Sequence, residues 1–314
     1  MSKRRARFEL TYSGAAQRVR LDAFVAESLE DVSRTRAARL IRDELVTLNG
    51  RAVAPARRLQ PGDIVRGALP RVAEELAPEP GPLAQRLTTE GLVAVDKPAG
   101  MVMHPGAGAD RGTLAHRLLA HYPELSGVGH PRRPGIVHRL DKDTSGVVLI
   151  ARTPAMYAHL GQAFERREVR KRYLLIAKGV PKPPRGCIDA PVGRHPTNRT
   201  RMAVVRHGRP AATRYRVLVQ ASGASLIEAS PTTGRTHQIR VHMAAIGHPI
   251  VGDATYGGPA SGARMMLHAW TLHFGDGTGG RWVATAEPPD DFQRAAAALG
   301  LTLPETPDSG PETR

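Results

Sequence analysis

A single segment of the chain, Gly135–Gly146, concentrates the side chains that could do chemistry. It reads Gly-Ile-Val-His-Arg-Leu-Asp-Lys-Asp-Thr-Ser-Gly and comes directly before the apolar run Val147–Ala151. Two carboxylates, an imidazole and a guanidinium are therefore available next to a predicted buried strand. Polar groups crowded at the edge of a buried strand are costly to desolvate, which favours a functional loop. The structural alternative is an Asx turn that begins the strand.

Three familiar kinds of site share parts of this segment, and none of them fits. In a kinase catalytic loop His-Arg-Asp is continuous, whereas Leu140 interrupts it here, and the chain has neither a Gly-rich phosphate loop nor Asp-Phe-Gly. The Asp143–Gly146 segment resembles an aspartic protease motif, but a serine is inserted and no second copy supplies a paired carboxylate. A retaining glycosidase needs two carboxyl groups about 5 Å apart. Asp141 and Asp143 are too near in sequence to assume that geometry.

This segment must be positioned by the strands and helices around it. The sequence pattern of those elements predicts an α+β body with a mixed or antiparallel sheet. Short apolar runs predict buried strands, and longer amphipathic stretches between them predict helices. The second helix should end at Gly247, which is a natural residue for that position ahead of Pro249. The predicted strands are 92–95, 147–151, 173–177 and 225–229, and the predicted helices are 155–168 and 237–246.

A smaller α/β module is predicted over residues 18–70. A short amphipathic helix over 21–29 precedes a second helix through Glu44, for which Ser33 is a good N-cap. Asn49-Gly50 then predicts a type I′ hairpin turn between Val46–Leu48 and Arg51–Val53. The second helix exposes four arginines, and a rigid helix that presents guanidinium groups suits phosphate contacts. A solvated helix face without a partner is the alternative. The four arginines are Arg34, Arg36, Arg39 and Arg42.

Two stretches of the chain lack the composition needed to build a core. Residues 71–87 are rich in Pro, Glu and Gly and predict a linker to the larger body, which we place at 88–290. The last residues, 303–314, predict a disordered tail.

The composition favours a polyanionic partner. The chain of 314 residues has 45 Lys and Arg against 29 Asp and Glu, a net charge of +16, and contact with phosphates releases condensed counterions. A single cysteine, Cys187, excludes an intrachain disulfide and a cysteine-based zinc site. His237 and His242 are five residues apart on a predicted helix, a poor spacing for a shared metal. With no signal peptide or apolar span, the chain is predicted to be soluble, cytoplasmic and free of metal.

Four segments in order resemble the RluA-type RNA pseudouridine synthases, over residues 88–285. They are Lys97–Gly100 with Val102–Gly106, Gly135–Gly146, Lys171–Leu174 and Thr233–His242. Residues 18–70 resemble the S4 RNA-binding domain. Segments at 104–108, 195–200 and 202–204 are most similar to the D-type branch, which modifies large-subunit rRNA. The resemblance implies the fold of that family and isomerisation of uridine to pseudouridine without a cofactor.

The resemblance also implies roles for individual residues. Asp141 would be the nucleophile, attacking C1′ of the ribose or C6 of the base, and Arg240 would pair with it. Tyr173 would stack on the target base, and Arg139 would hold the flipped nucleotide out of its helix. From the residues alone, the apolar strand around Tyr173 favours a core tyrosine, and Arg240 could be a surface ion-pair partner. Further substrate contacts are implied for His138, Lys97, Arg235 and His237, with His138 in a positioning role.

The predicted partner is RNA, namely rRNA alone or within a large-subunit precursor particle, and the chain is predicted to be a monomer without a membrane contact. Two other functions remain open on the sequence. One is a non-catalytic RNA-binding or ribosome-assembly factor that works through the S4-like module. The other is a pseudouridine synthase that acts on tRNA.

Overall fold

The structure is a computed structural model that describes residues 6–14, 19–29, 32–69, 76–106, 109–198, 200–221, 223–257 and 264–311. The chain divides into two compact units, Met1–Glu75 and Leu76–Arg314. The division falls within the stretch 71–87 that was predicted to be a linker. Among the described residues, no helix is long and apolar enough to cross a membrane.

The N-terminal unit packs two helices against a small antiparallel sheet. Its elements are β1 (Ala6–Thr11), α1 (Leu21–Ser28), α2 (Arg34–Arg42), β2 (Val46–Leu48) and β3 (Ile64–Leu69), with sheet order β1-β3-β2. Ser33 caps α2 as predicted, since its hydroxyl accepts a hydrogen bond from the Arg36 amide at 3.3 Å. One face of α2, formed by Ala37, Leu40 and Ile41, is buried in the core of the unit.

The Asn49-Gly50 turn of this unit forms, but the hairpin after it does not continue. Both residues have positive φ angles, 50° and 75°, as a type I′ turn requires. Leu48 and Arg51 exchange two backbone hydrogen bonds of 2.9 Å. The predicted return strand Arg51–Val53 ends at that bridge, and β2 pairs with β3 instead. Asn49 explains the change, because its side-chain oxygen accepts the Ile64 amide and its side-chain nitrogen donates to Asp63, which holds β3 against the turn.

The larger unit is built on one mixed sheet of ten strands with helices around it. The strands of this unit are β4 (Ala84–Thr88), β5 (Leu92–Lys97), β6 (Gly129–His130), β7 (Arg133–Pro134), β8 (Ser145–Ala151), β9 (Arg170–Lys178), β10 (Arg185–Asp189), β11 (Val192–Arg194), β12 (Met202–Val204), β13 (Ala212–Ala221), β14 (Ala224–Pro231), β15 (Leu267–Gly275), β16 (Arg281–Thr285) and β17 (Gly310–Pro311). The helices are α3 (Leu114–His121), α4 (Pro154–Glu165), α5 (Gln238–Ala245) and α6 (Asp290–Ala298), with a 3-10 helix at Pro123–Gly127.

The main path of the ten-stranded sheet has the order β10-β13-β14-β9-β15-β8-β5-β4, with β16 and β17 continuing from β15. Among these strands only the β15–β8 pairing is parallel, so the mixed sheet predicted from the sequence is confirmed.

The central strand β8 fixes the position of the segment that precedes it. All seven of its residues are buried, because β8 lies between β5 and β15 and both faces of the sheet are covered there. Gly146 makes the close approach to β15 possible. Its φ is +120°, and a Cβ there would lie 2.1 Å from the Ala269 carbonyl oxygen.

The C-terminal residues differ from the predicted disordered tail over 303–314. Trp270 donates a hydrogen bond to Thr306 at 3.1 Å, and the Thr285 amide donates to Ser309 at 2.9 Å. β17 then pairs with β16, which is an edge strand whose free backbone groups need partners. Residues 312–314 lie outside the described residues. The predicted end of the body at residue 290 is also too early, since Phe292 of α6 is fully buried.

Candidate active site

A cavity of about 610 Å³ lies where three of the four predicted segments meet. The Gly135–Gly146 segment, the beginning of β9 and the segment that leads into α5 all contribute to its wall. Seven of the eight residues predicted to act on the substrate therefore come together. They are His138, Arg139, Asp141, Tyr173, Arg235, His237 and Arg240.

Lys97 is the exception: it was predicted to contact the substrate, but it lies away from the cavity surface. Its side chain is fully buried and does not line the cavity. The ammonium donates to the carbonyl oxygens of Pro98, Met101 and Lys142 at 2.8, 2.9 and 3.0 Å. The Gly100 amide also donates to the Lys142 carbonyl at 2.9 Å. Lys97 thus holds the backbone of the residue that directly follows Asp141.

The burial of Lys97 should be visible in how the stability of the protein depends on pH. Burial lowers the pKa of Lys97 to about 7, although Asp143 and Asp141 act in the opposite direction. Between pH 7 and the ordinary lysine pKa, the folded protein gives up this proton while the unfolded chain keeps it. Lys97 therefore makes the free energy of unfolding rise with pH over that window, by about 1.4 kcal/mol per pH unit.

We expect Lys97→Met to remove this contribution. Urea unfolding of wild type and variant at several pH values from 6 to 10 measures it. The wild-type minus variant difference in unfolding free energy should grow with pH by about the slope given above. If the unfolding free energies of the two proteins changed with pH in parallel, the lowered pKa of Lys97 would be contradicted.

Arg240 is held in place by a buried carboxylate that the sequence analysis missed, Asp253. The Nε and Nη2 atoms of Arg240 donate to the two Asp253 oxygens at 2.7 and 2.9 Å. Asp253 also accepts the backbone amides of Thr255 and Tyr256. The remaining Nη1 atom lies 3.5 Å from Asp141 Oδ2, so the predicted Arg240–Asp141 pair is present in the geometry.

The electrostatics of this cluster keep Arg240 charged. Burial by itself would lower the pKa of Arg240, but the hydrogen bonds and charge of Asp253, with Asp141 adding to them, raise it. A guanidinium fixed in this way places a permanent positive charge beside the Asp141 carboxylate. Asp253 carried no signal in the sequence, because an aspartate in a turn is most simply a turn residue.

Tyr256 is a second residue that the sequence analysis missed. Its ring lies 5.0 Å from the Arg240 guanidinium, and its hydroxyl is hydrogen-bonded to His237 Nδ1 at 2.9 Å. The same hydroxyl accepts the Met202 amide at 2.9 Å, which connects the β11–β12 hairpin to the cavity. His237 Nε2 lies 3.9 Å from Asp141 Oδ2. Burial lowers the pKa of His237, so its ring is favoured in the neutral form.

We expect Tyr256→Phe to lower the rate of the reaction that the family resemblance predicts by about tenfold, because the Met202 amide and His237 both lose a hydrogen-bond partner near the Asp141 carboxylate. The single-turnover rate of pseudouridine formation measures this, alongside RNA affinity, which should change little. Tyr157→Phe on α4, outside the cavity, is the matched control and should be close to wild type. Equal rates for both variants would contradict a positioning role for Tyr256.

Two ring side chains of the cavity wall have fixed protonation states. Burial, with the nearby Asp141 charge, raises the pKa of Tyr173, so its phenol stays protonated at neutral pH. His138 accepts the Leu149 amide at 2.9 Å and stacks on Phe164 at 4.4 Å. Burial lowers the pKa of His138 to about 3. The ring of His138 therefore favours the neutral form, lines the cavity wall and anchors the segment to β8.

The rim of the cavity is positively charged. Arg139, Arg167, Arg209 and Arg235 all line it. Burial and the charges of Arg209 and Arg167 lower the pKa of Arg235, which reports how closely these cations are grouped. Buried Gln238 fixes the backbone of this part of the rim, because its side-chain oxygen accepts the Arg235 amide at 3.0 Å. Such a rim attracts the phosphates of a nucleic acid.

The predicted arginines of the N-terminal unit lie on the polar side of α2. Arg34, Arg39 and Arg42 are exposed, and Arg36 is half-buried. Arg34 Nε lies 3.5 Å from Asp22, so its charge is partly neutralised.

Two carboxylates line the cavity, Asp141 next to the fixed guanidinium and exposed Glu165 at the end of α4. Asp143, the neighbouring carboxylate in the chain, is exposed and does not line the cavity. Among the described residues, no group of three His, Cys, Asp or Glu side chains could hold a metal ion. The arrangement suits attack by the Asp141 carboxylate on a polyanionic substrate.

Comparisons with known proteins match both units. The RNA pseudouridylate synthase family model matches residues 91–245, and the S4 domain model matches residues 19–65. An uncharacterized RNA pseudouridine synthase of Chloroflexus aurantiacus is 44% identical over 279 residues, which is 87% of this chain and 88% of the relative. Ribosomal large subunit pseudouridine synthase D of Nitrosomonas europaea is 38% identical over 316 residues, 96% of this chain and 90% of the relative.

A solved structure supports the fold. Human RNA pseudouridylate synthase domain containing 4 has a TM-score of 0.56 and 26% identity, and the match covers 71% of this chain and 95% of that chain. Together with the family matches, it confirms the fold class and the S4 domain that the sequence predicted.

Proposed function

Because the chain belongs to the RluA-type family of RNA pseudouridine synthases with an N-terminal S4 domain, we propose that it modifies large-subunit rRNA with Asp141 as the nucleophile. The family makes the chain an isomerase that acts on RNA. The nucleophile and the target RNA are the proposal. The observation that carries it is the position of Asp141, which lines the basic cavity 3.5 Å from a guanidinium fixed by Asp253.

The reaction needs an ionised carboxylate next to a nucleotide that has left its helix. Asp141 attacks C1′ or C6, the N1–C1′ bond breaks, and the uracil turns. C5 then bonds to C1′ and the bond to Asp141 breaks, while the C5 proton leaves and N1 gains a proton. Uridine and pseudouridine are isomers, so the atoms balance without a further reactant. Arg240 places a fixed positive charge beside Asp141, and the Tyr173 ring offers a platform for the flipped base.

The basic rim and the N-terminal unit would hold the RNA. Arg139 and Arg235 lie at the rim, where they can bind the phosphates on either side of the flipped nucleotide. S4 domains bind RNA, and the exposed arginines of α2 provide charges for that contact. The relative named ribosomal large subunit pseudouridine synthase D supports large-subunit rRNA as the target over tRNA.

Mapping pseudouridines in RNA from cells with and without this gene tests the proposal. Carbodiimide modification followed by primer extension should show positions in 23S rRNA that lose pseudouridine in the deletion strain. A plasmid copy of the gene should restore them. Loss from tRNA alone would overturn the rRNA target. If every rRNA and tRNA position kept its pseudouridine, the alternative of a non-catalytic assembly factor would be favoured.

A further inference from the structure

A second cavity, of about 780 Å³, follows strands β9, β10, β13 and β14, and we call it the arginine groove. Across these strands Tyr215 is paired with Ala229, and Ala229 is paired with Tyr173. Arg216 is the next residue on β13, and it is paired with Arg185 on β10. Because neighbouring residues of a strand point to opposite faces, Arg185 and Arg216 lie on the face opposite Tyr173. The arginine groove is therefore distinct from the cavity that holds Asp141.

The arginine groove is strongly positive. Its basic side chains come from β9 and the residues just before it, from β10 and from β13, and Glu228 is the one carboxylate among the lining residues. The basic side chains are Arg167, Arg170, Lys171, Arg172, Arg185, Arg214 and Arg216. Glu228 is hydrogen-bonded to both Arg172 and Arg216, which leaves its charge shared between two guanidinium groups.

Arg185 and Arg214 of the groove are exposed, and in the described part of the chain neither forms an ion pair with a carboxylate. Arg185 is also directly opposite Arg216 in the sheet. Like charges at paired positions destabilise a sheet, and a bound anion would remove that repulsion. The sheet thus keeps an unfavourable arrangement that a polyanion would relieve.

The arginine groove is continuous with the Asp141 cavity. Arg167, Lys171, Pro231 and Thr232 line both of them, at the end of the sheet where β9 begins and β14 ends. Lys171 Nζ donates to the Thr233 carbonyl across this end at 3.4 Å. A nucleic-acid strand that leaves the Asp141 cavity can therefore pass over the end of the sheet and stay on a basic surface.

Part of the groove is also held rigid before any ligand binds. The Arg172 guanidinium lies 4.7 Å from the centre of the Trp270 ring while it is bonded to Glu228. Planar guanidinium groups fixed in this way match the geometry of phosphates and lose little freedom on binding.

We propose that the arginine groove binds the phosphodiester backbone of the RNA that flanks the target uridine. The charge selects a polyanion, and the continuity with the Asp141 cavity selects the substrate RNA over an acidic protein. This inference rests on the proposed function, because the RNA in the groove is the RNA whose uridine reaches Asp141.

The salt dependence of RNA binding tests the groove. Arg185→Gln/Arg214→Gln should weaken binding of in vitro transcribed 23S rRNA by about 20- to 60-fold at 0.1 M salt. The slope of log affinity against log salt should become shallower by about 1.4 to 1.8, the value for two phosphate contacts. The single-turnover rate at limiting enzyme should fall in parallel with the affinity, because neither arginine lines the Asp141 cavity and the loss is one of binding.

The matched control is Arg281→Gln/Arg294→Gln, which removes the same charge from exposed positions outside the groove. If this control and the groove variant show the same affinity and slope, the groove proposal is overturned. If wild type binds the transcript but forms no pseudouridine in it, the proposed function fails instead, and the difference in slope still reports on the groove.

The single cysteine of the chain gives a direct second test. Cys187 is exposed in the groove, at the position paired with Arg214. After alkylation with azidophenacyl bromide and irradiation, it should crosslink to bound 23S rRNA, at nucleotides other than the target uridine. Cys187→Ser combined with Arg294→Cys moves the probe out of the groove and should crosslink far less. Equal crosslinking from both positions would overturn the proposal, as would crosslinks to added acidic proteins in place of RNA.

Discussion

Asp141→Asn should stop pseudouridine formation, with a loss of about 10⁴-fold or more in the single-turnover rate. The amide has nearly the same shape as the carboxylate and can still accept a hydrogen bond from Arg240, 3.5 Å away. It lacks the negative charge and nucleophilicity that attack on C1′ or C6 requires. RNA affinity should therefore remain within a few-fold of wild type while the chemical step is lost.

Asp143→Asn is the matched control for this experiment. Asp143 is two residues away, is exposed and lies outside the cavity, so its loss should leave the rate close to wild type. The measurement is the release of tritium from C5-labelled uridine in an rRNA transcript, since the C5 proton leaves in the reaction. Pseudouridine formation by Asp141→Asn at more than a few per cent of the wild-type rate would rule out Asp141 as the nucleophile.

The part of the site that could be predicted from sequence is the part carried by short segments. The Gly135–Gly146 segment could be predicted as a functional loop, because its polar groups lie directly before a fully buried strand. Ser33 and Asn49-Gly50 were also readable, since a cap and a type I′ turn each depend on a few adjacent residues. Tyr173 and Arg240 could be proposed only through the family resemblance, because each also fits an ordinary structural role.

The part that could not be predicted depends on contacts between distant residues. A lysine next to a loop suggests a phosphate contact. In the folded chain, however, the Lys97 ammonium is buried and donates a hydrogen bond to the carbonyl of Lys142, 45 positions later in the sequence. Asp253 and Tyr256 come from a turn, and only folding brings that turn against α5. In the same way, nothing local shows that residues 303–311 complete the edge of β16.

The arginine groove has a pattern that sequence reading could have detected. Arg214 and Arg216 alternate along β13, as Arg185 and Cys187 do along β10, which is the period of a strand face. The alternation predicts a charged face, but the pairing of Arg185 with Arg216 depends on the register between the strands. That register is a property of the folded sheet.

The second large effect is expected for Arg240→Met, and it should appear in both stability and activity. Removing Arg240 leaves the fully buried Asp253 carboxylate with only backbone amides as partners. Breaking a buried ion pair in this way costs about 3–5 kcal/mol of unfolding free energy. The single-turnover rate should fall by about 100-fold or more, because Asp141 loses the fixed cation beside it.

A double variant separates these two effects. Arg240→Met/Asp253→Asn removes both charges, so urea unfolding should recover much of the lost stability, since no uncompensated carboxylate stays buried. The rate of pseudouridine formation should remain low, because the guanidinium next to Asp141 is still absent. If activity returned together with stability, Arg240 would act only by keeping Asp253 and its turn folded. If stability returned without activity, the Arg240–Asp141 contact itself would be what the reaction uses.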